Sequence, residues 1–292
     1  MIDAANATLS GSHLNGHHVK KGSGNTVFKG PLENLPYPTG PVSTEDAIKS
    51  MYEDGYCILP GVFNRAEVAE FRAFIDQSGG DDAQYHVKDW CYNKQLPMNF
   101  HRDPAILKYM DPEPLMPVLD GIFGSDCHVI SGTMWVTGSG RSMGIHADHL
   151  YYSLPEDVHH DPRFTLPIFS GSAHLYLNDM TAELGPTLLI PGSHRAGRPP
   201  NDESTWNGIT PKAVMVKAGD ICLFRHEIWH GAWGNTCKTD RRYMVQVAYA
   251  HTTIATWGGP SLRFNELYNP EVLAKLTPRQ ARLLGSEFSP KY

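Results

Sequence analysis

The chain shows two hydrophobic periodicities, and the change between them falls near residue 127. Before it, apolar residues recur at helical spacing after the capping residues Ser43 and Asn64, and Asp103 stands before a proline that begins a third helical stretch. Near the end of the chain, Asn269 and Thr277 are each followed by proline, which is common at a first helical position. The pattern therefore predicts helices at both ends of the chain.

Between these helical regions, short apolar runs are separated by Gly and Pro, as is typical of strands joined by turns. Seven such runs predict strands at Cys127–Ser131, Thr133–Thr137, Ile168–Leu177, Thr187–Ile190, Ala213–Val216, Ile221–Phe224 and Arg241–Tyr249. Many short strands indicate a sandwich or a barrel. We therefore predict a mostly β protein, a jelly roll with N-terminal and C-terminal helices packed on it.

The N-terminal segment has a different character. It is rich in Gly, Ser, Asn and His, has several turn dipeptides, and lacks the apolar core of a secretory signal. We expect a poorly ordered extension over residues 1–42, followed by one domain over residues 43–292.

The composition and charge of the chain argue against some classes of binding partner. The 292 residues carry a net charge of -6 and no run of Lys or Arg, which argues against nucleic acid as a partner. No apolar stretch has the length of a membrane-spanning helix, so no membrane association is expected. The five cysteines are odd in number and show no CxxC spacing, which favours a reducing cytoplasm. These features predict a cytoplasmic protein with a small-molecule partner, and they say nothing of its oligomeric state.

The pattern His-x-Asp indicates a possible metal site. Residues i and i+2 of a strand point to the same side, so the imidazole and the carboxylate can bind one ion. The 15 His and 31 acidic residues give roughly 1.6 His-x-acid matches by chance, and the sequence contains three. The matches at His101 and His159 lie beside prolines, in segments without strand character. His146 and Asp148 follow a Gly-rich turn at the edge of the β region, and are the better metal candidates.

A third ligand must come from elsewhere in the chain. Two imidazoles and one carboxylate on one face of a metal ion leave positions open for other ligands, as in non-haem iron oxygenases. His230 follows an apolar run and precedes glycine, and His226 is a rival on the same segment. Spacing alone leaves open whether either histidine is a ligand or a buried core residue.

Several motifs together resemble the phytanoyl-CoA dioxygenase family. The run from Glu183 to Arg195 reads ELGPTLLIPGSHR, and it is followed by Gly219-Asp220 and His230-Gly231, with Asn five and Arg eleven residues after that histidine. The segment around Gly55 and Pro60 also resembles the N-terminal strand and turn of the family. The likeness spans roughly residues 43–285.

The resemblance implies a double-stranded β-helix, iron(II), 2-oxoglutarate as cosubstrate, and consumption of O2. It selects His146, Asp148 and His230 as both the iron ligands and the catalytic residues, and it demotes His226. Halogenating relatives carry a small residue where this chain has Asp148, so a hydroxylation or a related oxidation of a small organic metabolite is expected, with release of succinate and CO2.

Three further residues are expected to bind the cosubstrate. Arg241 has the family spacing from His230, and a guanidinium can pair with the far carboxylate of 2-oxoglutarate. On the predicted strand Arg241 shares a face with bulky Tyr and Val residues, whereas Arg242 shares its face with smaller ones, so Arg241 is expected to point into the barrel. Thr187 and His174 are expected to line the same pocket, by resemblance.

Three other functions stay open at this stage. A cupin-like metalloenzyme that does not use 2-oxoglutarate would carry a similar barrel, and so would a non-catalytic metabolite-binding protein. A zinc hydrolase is a weaker option, because the same ligands can hold zinc.

Overall fold

The computed structural model describes residues 27–78, 84–88, 91–100, 103–150, 155, 157–158, 161, 163–255 and 269–285. Within these ranges the chain folds into two β-sheets with α-helices packed on one of them. None of the helices in these ranges is long and apolar enough to cross a membrane.

Four of the five α-helices begin where the sequence places their caps, at Ser43, Asn64, Asn269 and Thr277, and the fifth, Met116–Phe123, was not predicted. Their bounds are Thr44–Glu53 (α1), Arg65–Gln77 (α2), Met116–Phe123 (α3), Pro270–Lys275 (α4) and Pro278–Leu283 (α5). The Ser43 hydroxyl accepts the Asp46 amide at 3.0 Å, and Asn64 forms a capping box with Glu67. The predicted third helical stretch is a 3-10 helix, Pro104–Tyr109, capped by the Asp103 side chain.

Twelve strands of the described ranges form the two sheets. They are Glu33–Asn34 (β1), Tyr56–Leu59 (β2), Gln84–Lys88 (β3), Cys91–Pro97 (β4), Cys127–Thr137 (β5), Met143–His146 (β6), Ser170–Tyr176 (β7), Thr187–Leu189 (β8), Lys212–Ala213 (β9), Ile221–Arg225 (β10), His230–Ala232 (β11) and Arg242–His251 (β12). The larger sheet has the order β2-β10-β7-β12-β5-β4-β3, and the smaller has the order β1-β9-β8-β11-β6. The predicted fold class is confirmed.

Some predicted strands differ from those observed. The two strands expected on either side of Gly132 are one strand, β5, in which a Cβ at Gly132 would lie 2.8 Å from the Met98 Cβ. This glycine permits close packing and does not break the strand. The pair β3 and β4 was not predicted. Strand β1 pairs with β9 upstream of the boundary expected at residue 42.

Both faces of the central strand β12 are buried, but they face different surroundings, and this difference locates the site. On one face, the Tyr243 hydroxyl donates to Asp76 of α2 at 2.7 Å, and the Tyr249 hydroxyl donates to the Met110 carbonyl at 2.6 Å. The bulky residues of this face join the main hydrophobic core under the helices. The opposite face, which carries Arg242, is directed toward the space between the sheets. The functional cavity therefore lies on that second face.

Candidate active site

Two strands of the smaller sheet bring two histidines together. His146 at the end of β6 pairs directly with His230 at the start of β11, and their ring centroids are 4.2 Å apart. Asp148 follows two residues after His146, so its side chain lies on the same side as that imidazole. The backbone amide of Asp148 donates to the His226 carbonyl at 3.0 Å, which fixes the turn.

The three side chains form a compact group of possible metal ligands. The Asp148 Oδ1 atom lies 3.6 Å from His146 Nε2, and its Oδ2 atom lies 3.7 Å from His230 Nε2. One ion with bonds of about 2.0–2.2 Å can span such separations. Among the residues that the structure describes, this is the one group of three or more His, Cys, Asp and Glu side chains close enough to hold a metal ion.

Hydrogen bonds orient both imidazoles. His146 Nδ1 is 2.9 Å from the Gly144 carbonyl, and His230 Nδ1 is 3.0 Å from the Ile228 carbonyl. A carbonyl can only accept, so each Nδ1 donates and each Nε2 keeps its lone pair toward the centre of the group. Both rings are held in the tautomer that a metal ion requires.

The protonation states suit a cation at the centre. Burial alone would raise the pKa of the Asp148 carboxyl, but the imidazoles of His230 and His146 outweigh it and hold that pKa well below its usual value. Burial lowers the pKa of His230 to about 4, and the nearby His146 adds to the effect. Burial would also lower the pKa of His146, but the carboxylate of Asp148 reverses this and raises it. The group therefore offers an ionised carboxylate and a neutral imidazole at neutral pH.

The rival histidine has no nitrogen to offer. The Gln246 amide donates to Ser172 Oγ at 2.9 Å, and the Ser172 hydroxyl lies 2.8 Å from His226 Nε2. The other ring nitrogen, Nδ1, contacts Ser170 Oγ. Both ring nitrogens of His226 are therefore engaged by serine hydroxyls.

A cavity of about 180 Å³ opens beside the three possible ligands. Its walls are formed by Trp135, Thr137, Arg141, Ser142, Met143, His146, Asp148, His174, Thr187, His230, Gly231, Ala232, Arg242, Met244 and Gln246.

The cavity is built for a polar ligand. Of the six buried side-chain polar atoms that lack a hydrogen-bond partner within the described ranges, four belong to residues of its wall: Trp135 Nε1, Thr137 Oγ1, His174 Nδ1 and Arg242 Nε. Buried polar groups are nearly always satisfied, so four such atoms around one space indicate a ligand that completes them. A dicarboxylate such as 2-oxoglutarate fits this set, because three of the four residues carry N–H donors and one carries a hydroxyl.

The chain's sequence also matches a known family. A family model for phytanoyl-CoA dioxygenase matches residues 51–243, which is more than half of the chain. The chain belongs to the phytanoyl-CoA dioxygenase family. It is therefore an oxidoreductase of the iron(II)- and 2-oxoglutarate-dependent class, and the predictions of family, enzyme class and cofactors are confirmed.

Solved structures share the fold. HygX from Streptomyces hygroscopicus, with nickel and 2-oxoglutarate bound, is 19% identical with a TM-score of 0.59, and the match covers 78% of this chain and 95% of HygX. The epimerase SnoN from nogalamycin biosynthesis is 18% identical, with a TM-score of 0.55 and coverage of 75% and 92%. The carbocyclase SnoK from the same biosynthesis is 22% identical, with a TM-score of 0.53 and coverage of 73% and 87%.

The structure explains two motif residues of the phytanoyl-CoA dioxygenase family. Gly231 lies so close to β6 that a Cβ would be 2.7 Å from the Met143 carbonyl oxygen, which is why glycine follows His230. The Asn235 side chain donates to the carbonyls of Thr137 and Leu184 at 3.2 and 3.1 Å. Gly231 therefore allows β11 to lie close to β6, and Asn235 ties the segment after β11 to the end of β5 and to Leu184.

The prediction that Arg241 points into the barrel is wrong. Arg241 is exposed and precedes β12, whereas Arg242 is 8% exposed and lines the cavity, where its Nη1 donates to the Gly185 carbonyl. Bulk did not identify the interior face, because the face that carries Tyr243 packs against the helices. A usable signal was Gln246, a polar residue in phase with Arg242 on a buried strand.

The other expected cosubstrate residues lie on the cavity wall. Thr187 Oγ1 accepts from the Tyr176 hydroxyl at 2.8 Å, so the threonine's own hydrogen can be donated into the cavity. Burial lowers the pKa of His174 to about 3, so its imidazole is neutral. Thr137 and Arg242, which also line the cavity, were not predicted as wall residues.

Two of the three His-x-Asp matches lie partly outside the described residues. His101 and His159 lie outside the described residues, as does most of the polar loop between Asp148 and Arg163. Asp103, which belongs to the first match, accepts the Ala105 amide at 2.8 Å as a helix cap.

Proposed function

We propose that this chain hydroxylates a small organic metabolite, with iron(II) held by His146, Asp148 and His230 and with 2-oxoglutarate held by Arg242. The observation that carries the proposal is a single cavity with two chemically different ends. One end has the three possible metal ligands, and the other has a buried guanidinium. Iron(II) with bound 2-oxoglutarate supplies the oxidising chemistry, in which O2 is consumed and the 2-oxo acid becomes succinate and CO2.

The protein's own part at the metal end is to present ligands without rearrangement. The Gly144 and Ile228 carbonyls hold the two rings by Nδ1, and the low pKa of the Asp148 carboxyl keeps it ionised at neutral pH. The presence of a carboxylate at Asp148 also supports oxidation over halogenation, because no coordination position is vacated for a halide.

At the other end, Arg242 would pair with the far carboxylate of 2-oxoglutarate. A planar guanidinium can give two parallel N–H bonds to a carboxylate, and the described residues provide no hydrogen-bond partner for the buried Nε of Arg242. The Thr187 hydroxyl would donate to the same cosubstrate. The neutral His174 would contribute its free Nδ1, in the role that the sequence suggested.

The substrate class is supported by the cavity and by structural relatives. HygX binds hygromycin B, and SnoN binds nogalamycin RO, both of which are small organic molecules. A small organic metabolite of unspecified structure is accordingly the proposed substrate here. We propose neither nucleic acid nor membrane as a partner.

A reducing compartment, the cytoplasm, is proposed from the thiols. Cys57, Cys127 and Cys222 are buried and free, and burial raises the pKa of the first two to about 12. Such thiols are unreactive core residues and form no disulfide framework.

The experiment is a screen of candidate metabolites for substrate-dependent succinate release, with oxygen uptake measured in parallel. The proposal expects stoichiometric succinate and oxygen consumption with at least one metabolite, and none with Asp148→Ala. Oxygen uptake without succinate would favour the cupin-like alternative. A metabolite that binds tightly and causes neither oxygen uptake nor succinate release would favour a non-catalytic binding protein.

A further inference from the structure

Arg141 is a second guanidinium on the cavity wall, held in place by its backbone. It follows the turn between β5 and β6, where the Gly140 amide donates to the Asn235 carbonyl and the Asn235 amide donates to the Arg141 carbonyl, both at 2.8 Å. Its side chain is half-buried and lines the cavity. Across the part of the chain that the structure covers, no hydrogen bond or ion pair engages that side chain.

Strand register puts Arg141 and Arg242 at the same end of the cavity. Arg242 pairs with Thr137 at the end of β5, four residues before Arg141. In the smaller sheet, His230 pairs with His146 at the metal end of the cavity. Ala232, two residues further along β11, pairs with Met143 and with Thr187, and Met143 follows two residues after Arg141. Both arginines therefore lie away from the three possible metal ligands.

Among the described residues of the cavity wall, no acidic side chain balances the charges at this end. Asp148 is the one acidic residue of that set, and its carboxylate faces His146 and His230 at the opposite end. Burial lowers the pKa of Arg242, and the charge of Arg141 lowers it further, as expected for like charges in proximity. An anion bound between the two guanidiniums would relieve this repulsion.

We propose that Arg141 binds the far carboxylate of 2-oxoglutarate together with Arg242, so that a two-arginine site selects a dicarboxylate cosubstrate over 2-oxo acids with one carboxylate. The inference rests on the proposed function and adds a cosubstrate residue to it. Arg242 supplies the buried contact, and Arg141 supplies a contact from the cavity rim that is partly open to solvent.

The test compares two ligands that differ only at the far carboxylate. Affinities of 2-oxoglutarate and 2-oxopentanoate are measured by calorimetry on the iron(II)-loaded protein under anaerobic conditions, for the wild type, Arg141→Gln and Arg141→Lys. We expect Arg141→Gln to weaken 2-oxoglutarate at least tenfold and to change 2-oxopentanoate less than twofold. Arg141→Lys should fall between the wild type and Arg141→Gln for 2-oxoglutarate, because it keeps the charge and loses the planar fork.

A salt series gives a second readout. Interactions of a half-exposed charge are screened, so the 2-oxoglutarate affinity of the wild type should fall more steeply with ionic strength than that of Arg141→Gln. Arg241→Gln, which changes an exposed arginine outside the cavity, is the matched control and should behave as the wild type does.

Two results would overturn the inference alone. An equal loss for both ligands in Arg141→Gln would mean that Arg141 only supports the turn, and no loss for either would mean that it is a solvated rim charge. Wild-type protein that binds neither 2-oxo acid would instead overturn the proposed function, and this inference with it.

Discussion

Arg242 and Arg241 are neighbours in sequence with different surroundings, and the difference is measurable. Arg242 is buried in the cavity, whereas Arg241 is exposed. We expect Arg242→Ala to weaken 2-oxoglutarate binding by about 2–5 kcal/mol, as for loss of one partner of a buried charge pair. Arg241→Ala should change it by less than about 0.5 kcal/mol. Anaerobic titration of both variants decides, and a larger effect of Arg241→Ala would mean that β12 is assigned to the wrong register.

Replacing His226 and replacing His230 should have different effects, one on the stability of the fold and the other on metal binding. His230→Ala is expected to abolish iron binding and to leave the fold intact, because the core under the helices does not depend on that side chain. His226→Ala should retain iron but lower the free energy of unfolding by about 1–3 kcal/mol, since Ser170 and Ser172 lose their partner.

Iron content after dialysis and urea unfolding measure these two effects separately. Loss of iron from His226→Ala, together with its retention by His230→Ala, would reverse the ligand assignment.

At the scale of elements, the glycine after His230 sets the spacing between β6 and β11. A Cβ at Gly231 would lie 2.7 Å from a backbone oxygen of β6, which cannot move without displacing His146. We expect Gly231→Ala to destabilise the protein by about 1–3 kcal/mol and to weaken iron binding. Gly234 has no atom within 4 Å of the corresponding position, so Gly234→Ala is the control.

Equal behaviour of these two variants in urea unfolding and iron titration would show that the contact between β6 and β11 is not restrictive.

Sequence patterns predicted elements well where one local signal decides. The caps at Ser43 and Asn64 fixed the starts of α1 and α2, and apolar runs located β7, β10 and β12. Where a strand is buried on both faces, the pattern loses its meaning, and this is why Arg241 was preferred over Arg242. Strand β11 is three residues long, too short to show alternation, although the family motif located its histidine.

At the scale of the whole molecule, buried neutral histidines should make stability depend on pH. Burial, with Arg225 and Arg195 nearby, holds the pKa of His194 well below its usual value, and burial lowers that of His174 to about 3. In the unfolded chain both imidazoles take up a proton near pH 6.5. The unfolded state therefore binds more protons below that pH, and the free energy of unfolding falls as the pH decreases from about 6.5 toward about 3.

The contribution of one buried histidine to the pH dependence of the free energy of unfolding can be measured separately. Each should add a slope of up to about 1.4 kcal/mol per pH unit within that window. Urea unfolding of the metal-free protein at several pH values should show a shallower decline for His194→Gln than for the wild type. The same decline in both would mean that His194 is protonated in the folded state. Above pH 7 the two pH profiles should run parallel.

The central claim is that one cavity joins an iron site to a 2-oxoglutarate site, and a single anaerobic titration tests it. Iron(II) chelated by a 2-oxo acid absorbs visible light, so 2-oxoglutarate is added to the iron-loaded protein while the spectrum is recorded. We predict an absorption that requires both components and saturates at one iron and one 2-oxoglutarate per chain. It should be absent in His230→Ala and should need far more 2-oxoglutarate in Arg242→Ala. Binding of 2-oxoglutarate with the same affinity with and without iron, and no new absorption, would contradict the claim.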